Sequence, residues 1–143
     1  MSQAKLNSPF TLPNGSTLPN RIAKSAMSEA LGTMDNRATD RLVRLYERWG
    51  AGGAGLLLTG NVMVDRRALG EPGNVVIEDD RDLETLRAWA RAGQAQGAQL
   101  WVQLNHPGRQ CPKGLNTQTV APSAVGFKKS MQAYFDTPRE LTE

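Results

Sequence analysis

The sequence has one cysteine, one histidine and no apolar run near the roughly 18 to 20 residues that a membrane-spanning helix needs. The lone Cys111 excludes an internal disulfide and a cysteine-cluster metal site. The lone His106 gives no metal-ligand set, so no metal is expected. No serine sits in a G-x-S-x-G elbow, and one histidine leaves no hydrolase triad to assemble. The opening stretch "MSQAKLNSPF" lacks the apolar segment of a secretory signal, so a cytoplasmic location is expected, with no membrane partner. A basic block with interleaved aromatics is also missing. Net charge is +3 and the pI about 9.4, but charges alternate in sign along "DRLVRLYERW" and "EDDRDLETLRAWAR", as on the wet face of a helix. No nucleic-acid partner is therefore expected. What is present is 39% apolar and 22% charged residues over 143 positions, the composition of one soluble globular domain with its own core.

The order of elements follows from pattern. Residues 8–20, "SPFTLPNGSTLPN", place Asn14-Gly15 between two apolar stretches, which predicts a capping hairpin with positive φ angles at its turn. Residues 21–28, "RIAKSAMS", read as a first strand. Residues 39–50 carry Leu42, Leu45, Tyr46 and Trp49 at helical spacing, with Thr39 as N-cap and Gly50 as stop. Residues 54–64, "AGLLLTGNVMV", are a β-prone run. Residues 79–97 are helical again, with Leu83, Leu86 and Ala90 on one face and acids in the first turn. Residues 98–106, "AQLWVQLNH", form a third strand. Apolar strands separated by helices indicate parallel βαβ units. Residues 107–136 lack periodicity and form a long loop. In "DTPRELTE", Thr137, Pro138 and Glu140 fit an N-cap, an N1 proline and a capping-box acid, with Thr142 as the alternative cap for a helix just beyond. A helix announced so near the last residue implies a piece of a larger fold.

Sites in parallel α/β proteins form at the carboxyl ends of strands. Three such ends turn small and polar: Ser25 and Ser28; Thr59, Gly60 and Asn61; Gln103, Asn105, His106 and Arg109. Alternation puts Trp101, Gln103 and Asn105 on one face and Leu100, Val102 and Leu104 on the other. If the leucines meet the helices, Gln103 points into the pocket. Its amide both donates and accepts, which suits a planar heterocycle with adjacent C=O and N–H groups. Gly60 would admit such a ring close to the backbone. Lys24 is expected to share the inward face with Ala26 and Ser28, as a paired or rim lysine. "GAGGAG" (50–55) matches G-x-G-x-x-G, but with a helix before it and a strand after it. It therefore reads as a helix stop and tight loop, not a phosphate cradle.

The ordered set "LPNRIAKSAMSE", "RLYERWGAGGAGLLLTGNVMV", "GEPGNVV", "QLNHPGRQ" and "TPRELTE" resembles the N-terminal part of the old yellow enzyme family of NADH:flavin oxidoreductases, which includes ene-reductases. The resemblance covers nearly the whole chain. It implies the N-terminal part of a (β/α)8 TIM barrel, with residues 1–143 a segment of one FMN-binding domain. Carried over position by position, it implies that Ala26, Met27 and Ser28 contact the flavin from the first strand and that Ser28 tunes its reduction potential. Gly60 would lie beside the pyrimidine end and Gln103 would hydrogen-bond the pyrimidine edge. His106, Pro107, Gly108 and Arg109 would shape a turn, with His106 and Arg109 near the active-site mouth. Ala26 stands where proline is frequent and Thr59 where glutamate is frequent.

The implied chemistry is reduction of FMN by NADH or NADPH, then hydride transfer to an alkene conjugated to a carbonyl. No catalytic acid is assigned within this segment. The implied partners are the alkene substrate and the C-terminal remainder of the barrel as a second chain, or a homo-oligomer. The isolated chain is expected to hold FMN poorly and to be inactive. The rival reading is a non-catalytic interaction or structural fragment that binds no FMN.

Overall fold

The computed structural model describes residues 5–142. The hairpin forms between β1 (Phe10–Thr11) and β2 (Thr17–Leu18), paired antiparallel. Its turn is wider than the predicted two-residue type. Leu12 N–H donates to Ser16 O (2.8 Å), Asn14 accepts from Ser16 N–H, and of the Asn14-Gly15 pair Gly15 alone takes positive φ (85°). Pro13 holds its own φ near −65°, which favours this three-residue loop.

The main sheet comprises β3 (Ala23–Lys24), β4 (Leu56–Met63), β5 (Val75–Val76) and β6 (Gln99–Asn105). All pairings run parallel: β3 and β5 pair with the two ends of β4, and β6 pairs along its length. Helices α1 (Asp40–Ala51) and α2 (Leu83–Gln94) connect the strands and pack against each other. The βαβ expectation holds, and among the described residues the sheet does not close into a barrel. β5 was not expected; its two valines extend the sheet beside Val62 and Met63.

One face of the sheet meets the helices. Leu42, Tyr46, Leu57, Val62, Val75, Trp89 and Ala98 form the core there. Tyr46 packs edge-to-face against Trp49 and Trp89, at centroid distances of 4.9 and 5.2 Å. Gly50 does not stop α1 as expected, because the helix runs to Ala51. It lies inside the helix, where a Cβ would come within 3.2 Å of Ala92 O; its size sets how closely the helices approach. Thr39 precedes α1 without capping it, since its hydroxyl donates to Leu31 O (2.8 Å). Leu83 is exposed rather than core; Trp89 and Gly93 are the buried residues of α2.

The expected strand over 21–28 is shorter, and this corrects the placement of Lys24. Regular pairing ends at Lys24, so alternation does not carry on to Ala26 and Ser28. Lys24 Nζ turns toward α1, donating to Leu58 O (2.7 Å) and lying 4.2 Å over the Trp49 ring. The helix expected from Thr137, Pro138 and Glu140 is absent. Arg139–Glu140 is a short strand, β8, paired parallel with β7 (Val120–Ala121). Arg139 N–H donates to Thr119 O and Leu141 N–H to Ala121 O, both at 2.9 Å, and Pro138 is buried. Tertiary ladder bonds outweigh a cap motif worth about 1 kcal/mol. A helix beyond Thr142 falls outside the described residues.

The face assignment makes a direct prediction. Leu57→Ala, at a fully buried position on the helix side, should cost about 2–5 kcal/mol in denaturant unfolding. Leu104→Ala, at a side chain 65% exposed, should stay within about 0.5 kcal/mol.

Candidate functional site

The site begins with a fault in the ladder. Strand β4 pairs Leu58 with Trp101 and then Asn61 with Gln103, so Thr59 and Gly60 together face Val102. This is a β-bulge, which shifts the phase of alternation by one residue. Before it, Leu57 points to the helices; after it, Val62 does. Asn61 is thereby turned to the other face, opposite Gln103, and Gln103 Nε2 donates to Asn61 Oδ1.

Thr59, fully buried, stitches the bulge to β6. Its hydroxyl accepts from Gln103 N–H (2.9 Å) and donates to Gly60 O (2.8 Å). Leu100 packs toward Gly93, and Val102 borders a small apolar cavity with Leu86, Trp89 and Ala90. The inferred alternation of β6 is therefore observed, with Gln103 on the face away from the helices.

A cavity of about 250 Å³ opens at the carboxyl ends of the strands, lined by Ser28, Asn61, Glu71, Asn105, His106 and Gln110 among others. Ser28 and Asn61 thus border one place; Gln103 does not line it and is tied to it through its bond to Asn61, and Gly60 does not line it either. Ser28 Oγ donates to Glu71, whose turn is organised by Asn74 Oδ1 accepting from Gly70 and Glu71 N–H (3.0 and 2.9 Å). Met27 is exposed at the same end, and Ala26 is half-buried. Gly60 is small for a reason the chain itself supplies. A Cβ there would lie 2.5 Å from Met27 O and would collide with the Glu29 carboxylate. Its side-chain direction is occupied by the tail of β3.

His106 borders this cavity and a second one of about 240 Å³ that includes Asp65, Arg67, Gln118 and Arg139. Gly108 N–H donates to His106 Nδ1 (3.2 Å), which shapes the turn that follows. Arg109 folds over the Phe127 ring, 4.5 Å from its centroid, with Nη1 near Val125 and Gly126 carbonyls (3.5 and 3.4 Å). It organises the long loop. Asn116 also anchors that loop, exchanging hydrogen bonds with Leu69 N–H and C=O.

Glu71, Gln110 and Glu29 were not singled out by sequence. Glu71 sits in a Gly-Pro turn, where an acid is ordinarily a solvated residue. Glu29 follows "SAMS" and carries the one available signal, a charge directly after a small polar strand end. Behind the sheet, Glu29 Oε1 accepts from Tyr46 OH and from Gly60 N–H (2.9 Å). Burial, reinforced by the bond to Glu29, pushes the Tyr46 hydroxyl far above its ordinary range. Burial lowers the Lys24 ammonium, against the opposing pull of Glu29. Among the described residues no cluster of His, Cys, Asp and Glu could hold a metal ion, and no helix is long and apolar enough to cross a membrane.

Two outcomes test this geometry. Thr59→Val keeps the shape but strips the acceptor from Gln103 N–H. It should cost about 1–3 kcal/mol and speed exchange of that amide. The Arg67 side chain, then its N–H, holds the Asp65 carboxyl below the ordinary aspartate range. The stabilisation exists above that range and is lost as pH falls through the lowered value. Arg67→Ala should raise the Asp65 midpoint in a carboxyl-carbon NMR titration.

Comparison with known proteins extends the geometry. Residues 5–143 match the NADH:flavin oxidoreductase / NADH oxidase family. The NADH-dependent flavin oxidoreductase iliE of Hypocrea jecorina is 37% identical over 99% of this chain and 39% of its own length. The NADH:fumarate oxidoreductase of Klebsiella pneumoniae is 36% identical over 99% of this chain and 15% of its own length. The solved old yellow enzyme homologue from Zymomonas mobilis superposes with a TM-score of 0.81 at 26% identity, over 96% of this chain and 39% of that one. The chain thus spans about two fifths or less of these relatives, and its parallel sheet matches the first part of their fold. With three parallel strand ends meeting at one polar cavity and the family match running through almost every residue, the chain belongs to the NADH:flavin oxidoreductase family of old yellow enzymes, as an N-terminal portion of their TIM barrel.

Proposed function

We propose that this chain supplies the pyrimidine-side and first-strand contacts of an FMN site in an NAD(P)H-dependent reductase of alkenes conjugated to a carbonyl. The observation that carries the reading is the meeting of Ser28 with Asn61 and Asn105 in one cavity at the carboxyl ends of parallel strands, with Gln103 bonded to Asn61 on the same face of the sheet. The donor set fits the group. Two side-chain amides offer both donors and acceptors, as a flavin's pyrimidine edge requires. FMN, when bound, supplies the hydride chemistry, and the protein supplies orientation and electrostatics.

Each residue has a defined share. Gln103 uses one amide N–H on Asn61, which leaves its Oε1 as an acceptor and its second N–H as a donor. Asn61 keeps its own NH2 to donate. Ser28 commits its proton to Glu71, so what it offers a ring is an oxygen acceptor beside a carboxylate. An electron-rich partner of that kind lowers a flavin's affinity for electrons and so tunes its potential. Met27 and Ala26 present backbone and apolar surface along the same segment. His106 and Arg109 shape the mouth. The proton donor and the phosphate site belong to the rest of the barrel, the proposed partner of the open β6 edge, in the same polypeptide or a second one.

The test combines this chain with a C-terminal barrel portion from a close relative. Yellow colour and NAD(P)H oxidation coupled to loss of 2-cyclohexenone are expected in the mixture and not in either part. Gln103→Leu should weaken FMN binding about tenfold, the equivalent of one hydrogen bond of roughly 1.4 kcal/mol. A soluble, colourless monomer indifferent to the added portion overturns the reading and favours a non-catalytic role.

A further inference from the structure

Asn61 reaches Gln103 because of the bulge at Thr59–Gly60, and a bulge leaves a backbone amide without a ladder partner. Thr59 Oγ takes up Gln103 N–H there, and Gly60 N–H, past the point where β3 pairing ends at Leu57, donates to Glu29 Oε1 at 2.9 Å. The same oxygen accepts from Tyr46 OH, whose ring is fully buried in the helix core. Lys24, 3.4 Å from Tyr46 OH and bonded to Leu58 O, adds positive charge behind the carboxylate. Glu29 thus joins three elements: helix α1 through Tyr46, the bulge of β4 through Gly60, and its own segment, the tail of β3 that bears Met27 and Ser28.

We propose that Glu29 is a positioning residue that clamps the bulge and thereby aims Asn61 at Gln103 and holds Ser28 beside them. The proposal rests on the reading of this cavity as the flavin site. Three observations converge on it. The phase of β4 changes at the clamped residues: Leu57 and Val62 both face the helices although five positions separate them, an odd number that regular alternation forbids. Gly60 has no room for a side chain because the Glu29 carboxylate fills the space, so carboxylate and glycine fit as a pair. Thr59 ties the other half of the bulge to β6, so the clamp and the stitch grip one residue each. Glu29 touches neither Asn61 nor Gln103; its effect on them passes through Gly60.

Amide exchange and side-chain amide NMR on the whole chain test the clamp without any flavin. In Glu29→Ala, Gly60 N–H should exchange roughly tenfold faster. The Gln103 side-chain amide should lose its hydrogen-bonded shift, while amides inside α1 stay protected. Glu29→Gln should restore both signals, because its carbonyl oxygen can still accept from Tyr46 OH and Gly60 N–H. Unchanged Gly60 exchange in Glu29→Ala overturns the proposal. So does a Glu29→Gln variant that behaves like Glu29→Ala, or a uniform loss of protection, which would mark a general stabilising role. If Glu29→Ala does not fold, Tyr46→Phe decides: faster Gly60 exchange with α2 still protected supports the clamp, and wild-type exchange at Gly60 overturns it. A failed clamp leaves the FMN reading standing, and a failure to bind FMN leaves these exchange results intact.

Discussion

Strand β4 holds the rest of the molecule in place. Among the described residues it is the one strand hydrogen-bonded on both sides, with β3 and β5 along one edge and β6 along the other. Its helix-side residues sit in the same apolar cluster as Leu42, Tyr46 and Trp89. Interrupting such a strand in mid-ladder is costly unless each freed backbone group finds a partner. Here the partners come from side chains: Thr59 Oγ on one side and Glu29 on the other. The interruption places an amide where regular alternation would have placed a helix-facing residue. Local ladder regularity is exchanged for a polar side chain at the strand end.

The two faces of the sheet carry separate polar groups. Behind it, Lys24, Tyr46 and Glu29 form a half-buried network with an ammonium and a carboxylate among aromatic rings. In front, Ser28, Glu71, Asn61 and Asn105 border an open cavity, with Gln103 bonded to Asn61. In the rear network the Tyr46 hydroxyl, the Lys24 ammonium and the Gly60 amide all find acceptors, as low-dielectric surroundings demand. In the front, the amides keep donors and acceptors unspent. A network with its bonds complete rigidifies; one with bonds to spare can bind. Gly60 lies between them, and its lack of a side chain lets the rear carboxylate reach the backbone that carries the front amide.

Much of this was legible in the residues. Helical spacing located both helices to within a few positions, and alternation placed Gln103 on the correct face of β6. Of the small and polar strand ends, Ser28, Asn61, Asn105 and His106 line one cavity, while Gly60 and Gln103 do not. The bulge was missed: Thr59-Gly60 interrupts the apolar run of "LLLTGNVM", and a glycine inside a strand often marks a bulge, but it was read only as room for a ring. Lys24 was misjudged because alternation was extended beyond the two residues that pair. The cap-like "TPRE" was misjudged because capping is a local preference of modest size, while β8 is set by Thr119 and Ala121, some twenty positions away. Glu29 and Glu71 escaped because a carboxylate's partner cannot be read from its neighbours in sequence.

The edge of β6 sets the terms on which the sheet can be completed. Its outer backbone groups are unpaired among the described residues, and Val102 and Leu104 are exposed on the helix side. An antiparallel strand would pair the edge yet bring no helix over those side chains. A parallel strand reached through a crossover helix does both, since a right-handed crossover returns the helix to the same side as α1 and α2. That is one more βα unit of the kind already present twice. The same addition would extend the row of strand ends past Gln103 and Asn105, enlarging the cavity on its open side. Covering apolar surface and building the remainder of the proposed ligand site are therefore met by one addition at this edge.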